Sequence, residues 1–153
     1  MADNAHGYDL DLSLGFIMGT TYRKMSAFFQ NGLKEYGITP EQWSVLYQID
    51  KEEGLMQKEI AERSGKDRPT TTRILDLLED KGLIYKQVGD NDRRSFHVYI
   101  NDKGRSLIRD TIPVERMSAT EVKKCISDDE YESLMKLLKI INRHLDKIVV
   151  DRE

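Results

Sequence analysis

Guanidinium and hydroxyl groups are concentrated in residues 68–73, which read RPTTTR and follow Asp67. Aspartate commonly caps helices, so we expect this segment to form the first turns of one. A guanidinium can bridge guanine edges or phosphates, a threonine methyl can meet that of a thymine, and the positive end of the helix dipole lies nearby. Such a helix suits the major groove of DNA. The alternative that this segment alone leaves open is an ordinary solvated amphipathic helix.

The outward face of this helix is set by its apolar residues. If Ile74, Leu77 and Leu78 are buried, a rotation of about 100° per residue turns Thr70 toward the core. The same rotation places Pro69, Thr72 and Asp76 outward. It places Arg68 and Arg73 on the flanks of the helix. The predicted outer surface therefore combines threonine with two guanidinium groups.

A second charged cluster lies between two strand-like runs, residues 83–88 and 96–100, and contains Asp92, Arg93 and Arg94. An arginine at the tip of a two-stranded hairpin can reach a minor groove, where narrow A·T tracts concentrate negative potential. An aspartate beside it can hold the arginine extended by a charge-assisted hydrogen bond. The alternative is a solvated hairpin with unrelated surface charges.

Capping residues and apolar spacing predict the helices that carry these two clusters. Apolar residues three or four positions apart indicate a long helix over residues 14–36. Thr39 and Gln42 form a capping box for a second helix. Two short helices at residues 56–64 and 68–81 then have the spacing of a helix-turn-helix motif.

Two further helices follow the predicted strands. Asn101 can cap the first, and Pro113 should kink it near Ile112, because proline lacks an amide hydrogen and crowds the preceding turn. Ser127 begins a capping box for the last helix. A heptad-like apolar seam follows at Tyr131, Leu134, Leu138, Ile141, Leu145 and Ile148. The seam fits burial within one chain or, given its place at the chain end, against a partner subunit.

Length and composition indicate a single folded domain. The 153 residues include 33% charged residues and carry a net charge of -3, which is compatible with a local basic surface. The single cysteine, Cys125, excludes an internal disulfide, and three scattered histidines oppose a metal site. We expect a cytoplasmic protein without a cofactor or a membrane span. No Gly-rich phosphate loop or hydrolase motif indicates an enzyme.

Four stretches of the chain, taken in order, resemble the signature of the MarR (multiple antibiotic resistance regulator) family of winged helix-turn-helix transcription regulators. They are QKEIAE at residues 57–62, RPTTTR at 68–73, LEDKGLI at 78–84 and DRRS at 92–95. The resemblance covers essentially the whole chain, including long outer helices on both sides. It implies a mainly α fold with a small β wing.

The resemblance also implies how the chain is organised. Residues 1–153 would form one MarR-like domain. In it, the long N- and C-terminal helices, at about residues 8–37 and 105–150, would intertwine two subunits as a dimerisation region. The winged helix-turn-helix region would occupy about residues 38–104.

In the family, the second short helix enters the major groove, and the arginine of an Asp-x-Arg pair on the wing enters the minor groove. The resemblance assigns these roles to Arg68, Thr71, Thr72 and Arg73 of the helix and to Asp92 and Arg94 of the wing. Arg93 joins the predicted DNA-binding set as the neighbouring arginine of the tip.

The predicted function is sequence-specific binding to double-stranded DNA by a homodimeric repressor of a palindromic operator, controlled by a small aromatic effector. The effector pocket stays unassigned, because aromatic residues at helical spacing are usually core. Candidates to line it are Tyr22, Phe29, Trp43 and Tyr47. A winged-helix module that binds another protein instead of DNA is the second hypothesis, and the clustered arginines oppose it. An enzyme is the third.

Two residues depart from the family pattern. Met56 stands where a threonine or serine cap is usual, so the first short helix must satisfy its free amides by another route. Cys125 lies late in the chain, whereas peroxide-sensing members use a cysteine near the N-terminus. We therefore expect Cys125 to pack as a small, half-buried hydrophobic residue and not to sense oxidants.

Overall fold

The structure is a computed structural model that describes residues 6–89 and 92–150, without the side chains of residues 92–94, 149 and 150. Its described part confirms a mainly α fold with a small β-sheet. In chain order the elements are α1 (Leu14–Leu33), α2 (Pro40–Lys51), β1 (Leu55–Met56), α3 (Gln57–Ser64), α4 (Arg68–Asp80), β2 (Ile84–Gly89), β3 (Asp92–Ile100), α5 (Asp102–Val122) and α6 (Asp128–Val150).

The chain divides into two compact units. The first, Met1–Glu115, contains α1 to α4, the sheet and the first part of α5. The second, Arg116–Glu153, contains the end of α5 and α6.

Helix starts lie at the polar residues that the sequence indicates. The Thr39 hydroxyl accepts a hydrogen bond of 3.2 Å from the Gln42 amide, and the Gln42 side chain accepts one of 3.3 Å from the Thr39 amide. Ser127 and Glu130 form the same reciprocal pair at the start of α6. Asn101 accepts from the amide three residues later at 2.9 Å, which confirms it as the cap of α5.

The three strands form an antiparallel sheet in the order β1-β3-β2. The hairpin of β2 and β3 pairs Ile84 with Ile100 and Val88 with Phe96, and the register shifts at Gly89. Strand β1 is an addition that the sequence did not indicate; it pairs Leu55 with Val98 on the free edge of β3. Strand β2 begins and ends one residue later than the predicted run 83–88, whereas β3 begins four residues before the predicted run 96–100 and ends with it.

The core of the first unit is built from apolar residues of the helices and of the inner face of the sheet. Its largest fully buried side chains are Leu33, Ile38, Leu46, Ile49, Ile60, Leu75, Leu78, Ile100 and Ile108. Gly104 lets α5 approach the sheet, since a Cβ at this position would lie 2.4 Å from the Leu83 carbonyl oxygen.

Trp43 joins α2 to α5 inside this core. Its indole Nε1 donates a buried hydrogen bond of 2.7 Å to the Thr111 hydroxyl, which in turn donates to the Leu107 carbonyl at 2.6 Å. Phe29 packs edge-on against the indole, and Tyr47 stacks on it, each at 5.4 Å between ring centroids. Three of the four aromatic residues that were candidates for an effector pocket therefore form one packed cluster.

Helix α5 runs from Asp102 to Val122 with Pro113 inside it, and the kink expected near Ile112 stays a prediction. Two details differ from the sequence-based expectations. The first long helix ends at Leu33 and continues only as the 3₁₀ turn Lys34–Tyr36. The half-burial expected of Cys125 is wrong: the residue is exposed, and its thiol donates to the Val122 carbonyl at 3.1 Å, as a side chain at the fraying end of a helix can.

Candidate nucleic-acid interface

The start of α4 is fixed by Asp67. Its carboxylate accepts hydrogen bonds from the Thr70 amide at 2.8 Å and from the Thr70 hydroxyl at 3.0 Å. These two bonds, followed by the positive charge of Arg73, lower the pKa of the Asp67 carboxyl from its ordinary value. The capped end of the helix is therefore ordered, and the residues of its first turns have defined directions.

One face of α4 is buried and the other is open to solvent. The buried residues are Thr71, Ile74, Leu75 and Leu78. Arg68, Pro69, Thr72, Arg73 and Asp76 are all exposed. The expectation that the first turns present threonine and two arginines to solvent is thus met in the geometry of the helix.

Two positions on this helix were assigned wrongly from the sequence. Leu77, expected to be buried, is 39% exposed, and Leu75 is buried in its place. The core-facing stripe is therefore rotated by about 60° from the predicted one, at 3.6 residues per turn. Thr71 consequently is fully buried, with its hydroxyl donating to the Asp67 carbonyl at 2.8 Å, and its side chain is closed to a DNA partner. Thr70 is half-buried on the flank.

The Thr72 side chain is held by residues of two helices. Its hydroxyl donates to the Arg68 carbonyl, four residues earlier, at 2.9 Å. The side-chain amide of Gln57, the first residue of α3, donates to the Thr72 hydroxyl oxygen and also approaches the Arg68 carbonyl at 3.4 Å. Sequence reasoning gave Gln57 no role in the site, although it begins the QKEIAE stretch that carries the family resemblance.

Helix α3 begins without a side-chain cap. The predicted other route is present: the Glu59 carboxylate accepts the Met56 amide hydrogen at 2.8 Å. Met56 is extended and belongs to β1, so the same residue ends the strand and precedes the helix. The helix start that carries Gln57 is therefore anchored to the sheet.

Lys86 links α4 to the hairpin. Its ammonium group lies 2.6 Å from the Asp76 carboxylate and 3.7 Å from that of Glu79, both on α4. The same group lies 5.1 Å from the centre of the Phe96 ring on the neighbouring strand. Only 19% of the Lys86 side chain is exposed, so this cation is shielded more than its two partners.

The wing is described in part. Strands β2 and β3 form the expected hairpin directly after α4. The side chains of Asp92, Arg93 and Arg94 lie outside the described residues, so their predicted roles stay predictions. On the hairpin itself, Tyr85 and Tyr99 are cross-strand partners that stack at 5.3 Å.

Residues 38–96 match the sequence profile of the MarR family. This segment is therefore similar to the MarR family of transcription regulators. The matched segment begins just before the cap of α2 and ends inside β3, so it contains both short helices and most of the hairpin.

The chain is similar to transcription regulators over most of its length. It is 28% identical to the HTH-type transcriptional regulator BilQ of Clostridioides difficile over 129 residues, which cover 84% of this chain and 87% of BilQ. Among solved structures, it matches a probable transcriptional regulator from Pseudomonas aeruginosa at 26% identity and a TM-score of 0.80, covering 87% of this chain and 99% of the other. The fold is therefore that of winged-helix MarR structures.

A further match is a solved structure of the transcriptional repressor CouR bound to a 23-mer DNA duplex. The two chains are 28% identical, with a TM-score of 0.79, and the match covers 87% of this chain and 94% of CouR. In the part of the chain that the structure describes, no group of three or more His, Cys, Asp or Glu residues could hold a metal ion. None of the described helices has the length and apolarity needed to cross a bilayer.

Proposed function

We propose that this protein is a homodimeric, sequence-specific repressor that covers a palindromic operator in double-stranded DNA and acts in the cytoplasm. Helix α4 of each subunit reads the major groove through Arg68, Thr72 and Arg73. The hairpin tip, with Asp92, Arg93 and Arg94, contacts the adjacent minor groove. A small aromatic compound controls the affinity, from a pocket that has no assigned residues.

The observation that carries this proposal is the exposed face of α4. Two guanidinium groups and one threonine lie on a helix whose opposite face is locked into the core. The N-terminal end of α4, where the helix dipole is positive, lies beside these residues. A positive dipole end favours the binding of phosphate. The complex of CouR with a DNA duplex supports the same partner for this chain.

Exposed apolar residues on two helices support the dimer. On α1 these are Leu14, Phe16, Ile17, Tyr22, Met25 and Phe28, and on α6 they are Leu134, Met135, Leu137, Ile140, Leu145 and Ile148. Contiguous apolar surfaces of this kind are rare on monomers and mark association sites. In a homodimer, each subunit would cover the exposed apolar residues of the other. The two α4 helices would then be related by a twofold axis, which matches the symmetry of a palindromic operator.

The test is a fluorescence-anisotropy titration on a duplex selected from genomic or random DNA, at several salt concentrations. The wild type should bind with a log affinity that falls linearly with log salt. Arg73→Ala should reduce that slope by about one unit for each phosphate that a subunit no longer neutralises. Arg109→Ala, which removes an exposed arginine of α5 that forms an ion pair with its neighbour Asp110, is the matched control and should leave the slope unchanged.

Two results would contradict the proposal. Wild-type protein without salt-dependent affinity for any duplex would favour the protein-interaction module over a DNA-binding regulator. Equal slopes for wild type and Arg73→Ala would exclude the face of α4 from the interface, even if DNA binding itself were present.

A further inference from the structure

We propose that this protein recognises a thymine through the methyl group of Thr72, and that Gln57 is the positioning residue that fixes this methyl. The inference rests on the function proposed above and specifies how one base is read.

The hydroxyl group of Thr72 has little hydrogen-bonding capacity left for DNA. A hydroxyl has one hydrogen to donate and two lone pairs to accept with. The hydrogen is used on the Arg68 carbonyl at 2.9 Å, and one lone pair accepts from the Gln57 amide. Thr72 is nevertheless exposed, so the group it offers to a partner is chiefly its methyl.

A methyl on this face of α4 has one specific complement in the major groove. Thymine alone among the four bases carries a methyl group there, and apolar contact with it is a recognised form of base readout. Arg68 and Arg73 flank Thr72 on the exposed face and would hold the helix against phosphates or guanines. Thr72 lies between them, where a base edge rather than the backbone is expected.

Gln57 determines which way the methyl points. A threonine in a helix divides between two side-chain rotamers, because its hydroxyl can bond to either of two earlier carbonyls. The second bond, from Gln57 on a different helix, favours the rotamer in which the hydroxyl faces Arg68. Gln57 also approaches the Arg68 carbonyl at 3.4 Å. The Gln57 amide on α3 and the Arg68 carbonyl on α4 therefore together orient the Thr72 side chain and its methyl.

The experiment separates the methyl from the hydroxyl with two conservative variants. Thr72→Val keeps the methyl at the same position and removes the hydroxyl, whereas Thr72→Ser does the opposite. Each thymine of the selected operator is replaced in turn by deoxyuridine, which lacks only the 5-methyl group. For the wild type, one replacement per half-site should weaken binding about fourfold, the effect of one buried methyl.

The variants should differ in their preference for thymine over uracil. Thr72→Val should keep the preference of about fourfold for thymine over uracil, and Thr72→Ser should have none. Gln57→Ala should reduce the preference to about twofold, as expected if the methyl is correctly placed half of the time. In the Thr72→Val background, Gln57→Ala should have no further effect, because valine holds its methyls without a hydrogen bond. None of these variants should change the salt slope.

Three outcomes would overturn the inference. Loss of base discrimination in Thr72→Val but not in Thr72→Ser would show that the hydroxyl oxygen reads an adenine or cytosine amino group. Equal affinity of the wild type for thymine and uracil at every position would remove the methyl contact while leaving the DNA-binding function intact. Failure of the wild type to select any sequence would overturn the proposed function itself, and the inference with it.

Discussion

At the scale of single residues, the carboxylate of Asp67 couples the order of the α4 start to pH. Its two hydrogen bonds from Thr70 lower the pKa of the carboxyl in the folded chain. Because the folded pKa lies below the unfolded one, the carboxylate stabilises the folded chain above the unfolded pKa, about 4. That stabilisation is lost as the pH falls through the folded pKa.

We expect Asp67→Asn to be less stable than the wild type at pH 7 and to lose this disadvantage progressively as the pH falls below about 4. Asparagine still caps the helix but carries no charge to protonate. Urea unfolding midpoints of both proteins between pH 7 and pH 3 test the prediction. Thr70→Val, which removes one of the two donors, should move the Asp67 pKa back toward its ordinary value in an NMR titration. Parallel stability curves for wild type and Asp67→Asn would contradict this account.

The residues that cap helices were predictable from the sequence. The residues on the exposed face of α4 were predictable only in part. Caps such as Thr39 and Asn101 act within three residues of chain, so local sequence defines them. The direction of Thr71 depends on which leucines of α4 the core accepts, and an apolar pattern with Leu75, Leu77 and Leu78 fits more than one rotation. The contact of Gln57 with Thr72 joins positions fifteen residues apart, and no periodicity reports it.

At the scale of elements, Lys86 offsets the negative charge of the C-terminal half of α4. It is the cation closest to the Asp76 and Glu79 carboxylates among the ion pairs of the described residues. Without it, two negative charges on the proposed DNA-reading helix would lack a cationic partner, and they would repel phosphates within about a Debye length. The buried stem of Lys86 also packs the hairpin against the helix.

Lys86→Met should therefore weaken DNA binding more than it weakens the fold. Methionine keeps the apolar stem over Phe96 and removes the charge, so the free energy of unfolding should fall by less than about 1 kcal/mol. DNA affinity should fall by on the order of 1 kcal/mol per subunit. Adding Asp76→Asn and Glu79→Gln should restore the affinity. If the triple variant binds as weakly as Lys86→Met, the ammonium group contacts DNA directly instead of neutralising the helix.

The buried hydrogen bond from Trp43 to Thr111 joins α2 to α5 and should be expensive to break. Thr111→Val keeps the volume but leaves the indole N–H buried without its acceptor, at a cost of about 1–3 kcal/mol. Thr120→Val is the matched control, because Thr120 also donates to the carbonyl four residues earlier but is exposed. Urea denaturation followed by Trp43 fluorescence measures both. Equal destabilisation by the two variants would show that helix propensity, not the buried bond, accounts for the loss.

Most elements could be predicted because their signals are local, and the exceptions have long-range causes. Strand β1 has only two residues, too few for an alternating pattern, and it exists because the edge of β3 is free to pair. Lys86 gave no signal as an inter-element link, because a lysine in a strand is ordinarily a solvated side chain.

At the scale of the whole molecule, the single chain leaves the apolar surface of α6 exposed. The predicted seam is part of it, but Met135, Leu137 and Ile140 widen it to an arc of about 220° at 3.6 residues per turn. A helix that is apolar over so much of its circumference needs cover on more than one side. The opposite face carries a regular basic stripe: Lys136, Lys139, Arg143 and Lys147.

We expect the double substitution Leu134→Asp and Leu145→Asp to dissociate the proposed dimer. Both leucines are exposed in the single chain, at 43% and 50%, so aspartate should be tolerated by an isolated subunit. In a dimer each would bury a carboxylate without a partner, which costs several kcal/mol. Sedimentation velocity at low micromolar concentration should therefore give a dimer for the wild type and a monomer for the variant. Operator affinity should fall with it, because one subunit presents one α4 to one half-site.

The basic stripe of α6 supplies the control for this experiment. Lys136→Asp with Arg143→Asp places two carboxylates on the same helix and changes the net charge more, but on its polar face. This variant should remain a dimer if burial of the apolar arc, and not charge, decides association. A dimeric Leu134→Asp and Leu145→Asp variant would move the interface away from α6. Since α1 also carries exposed apolar residues, Phe16→Asp with Met25→Asp would be the next pair to test.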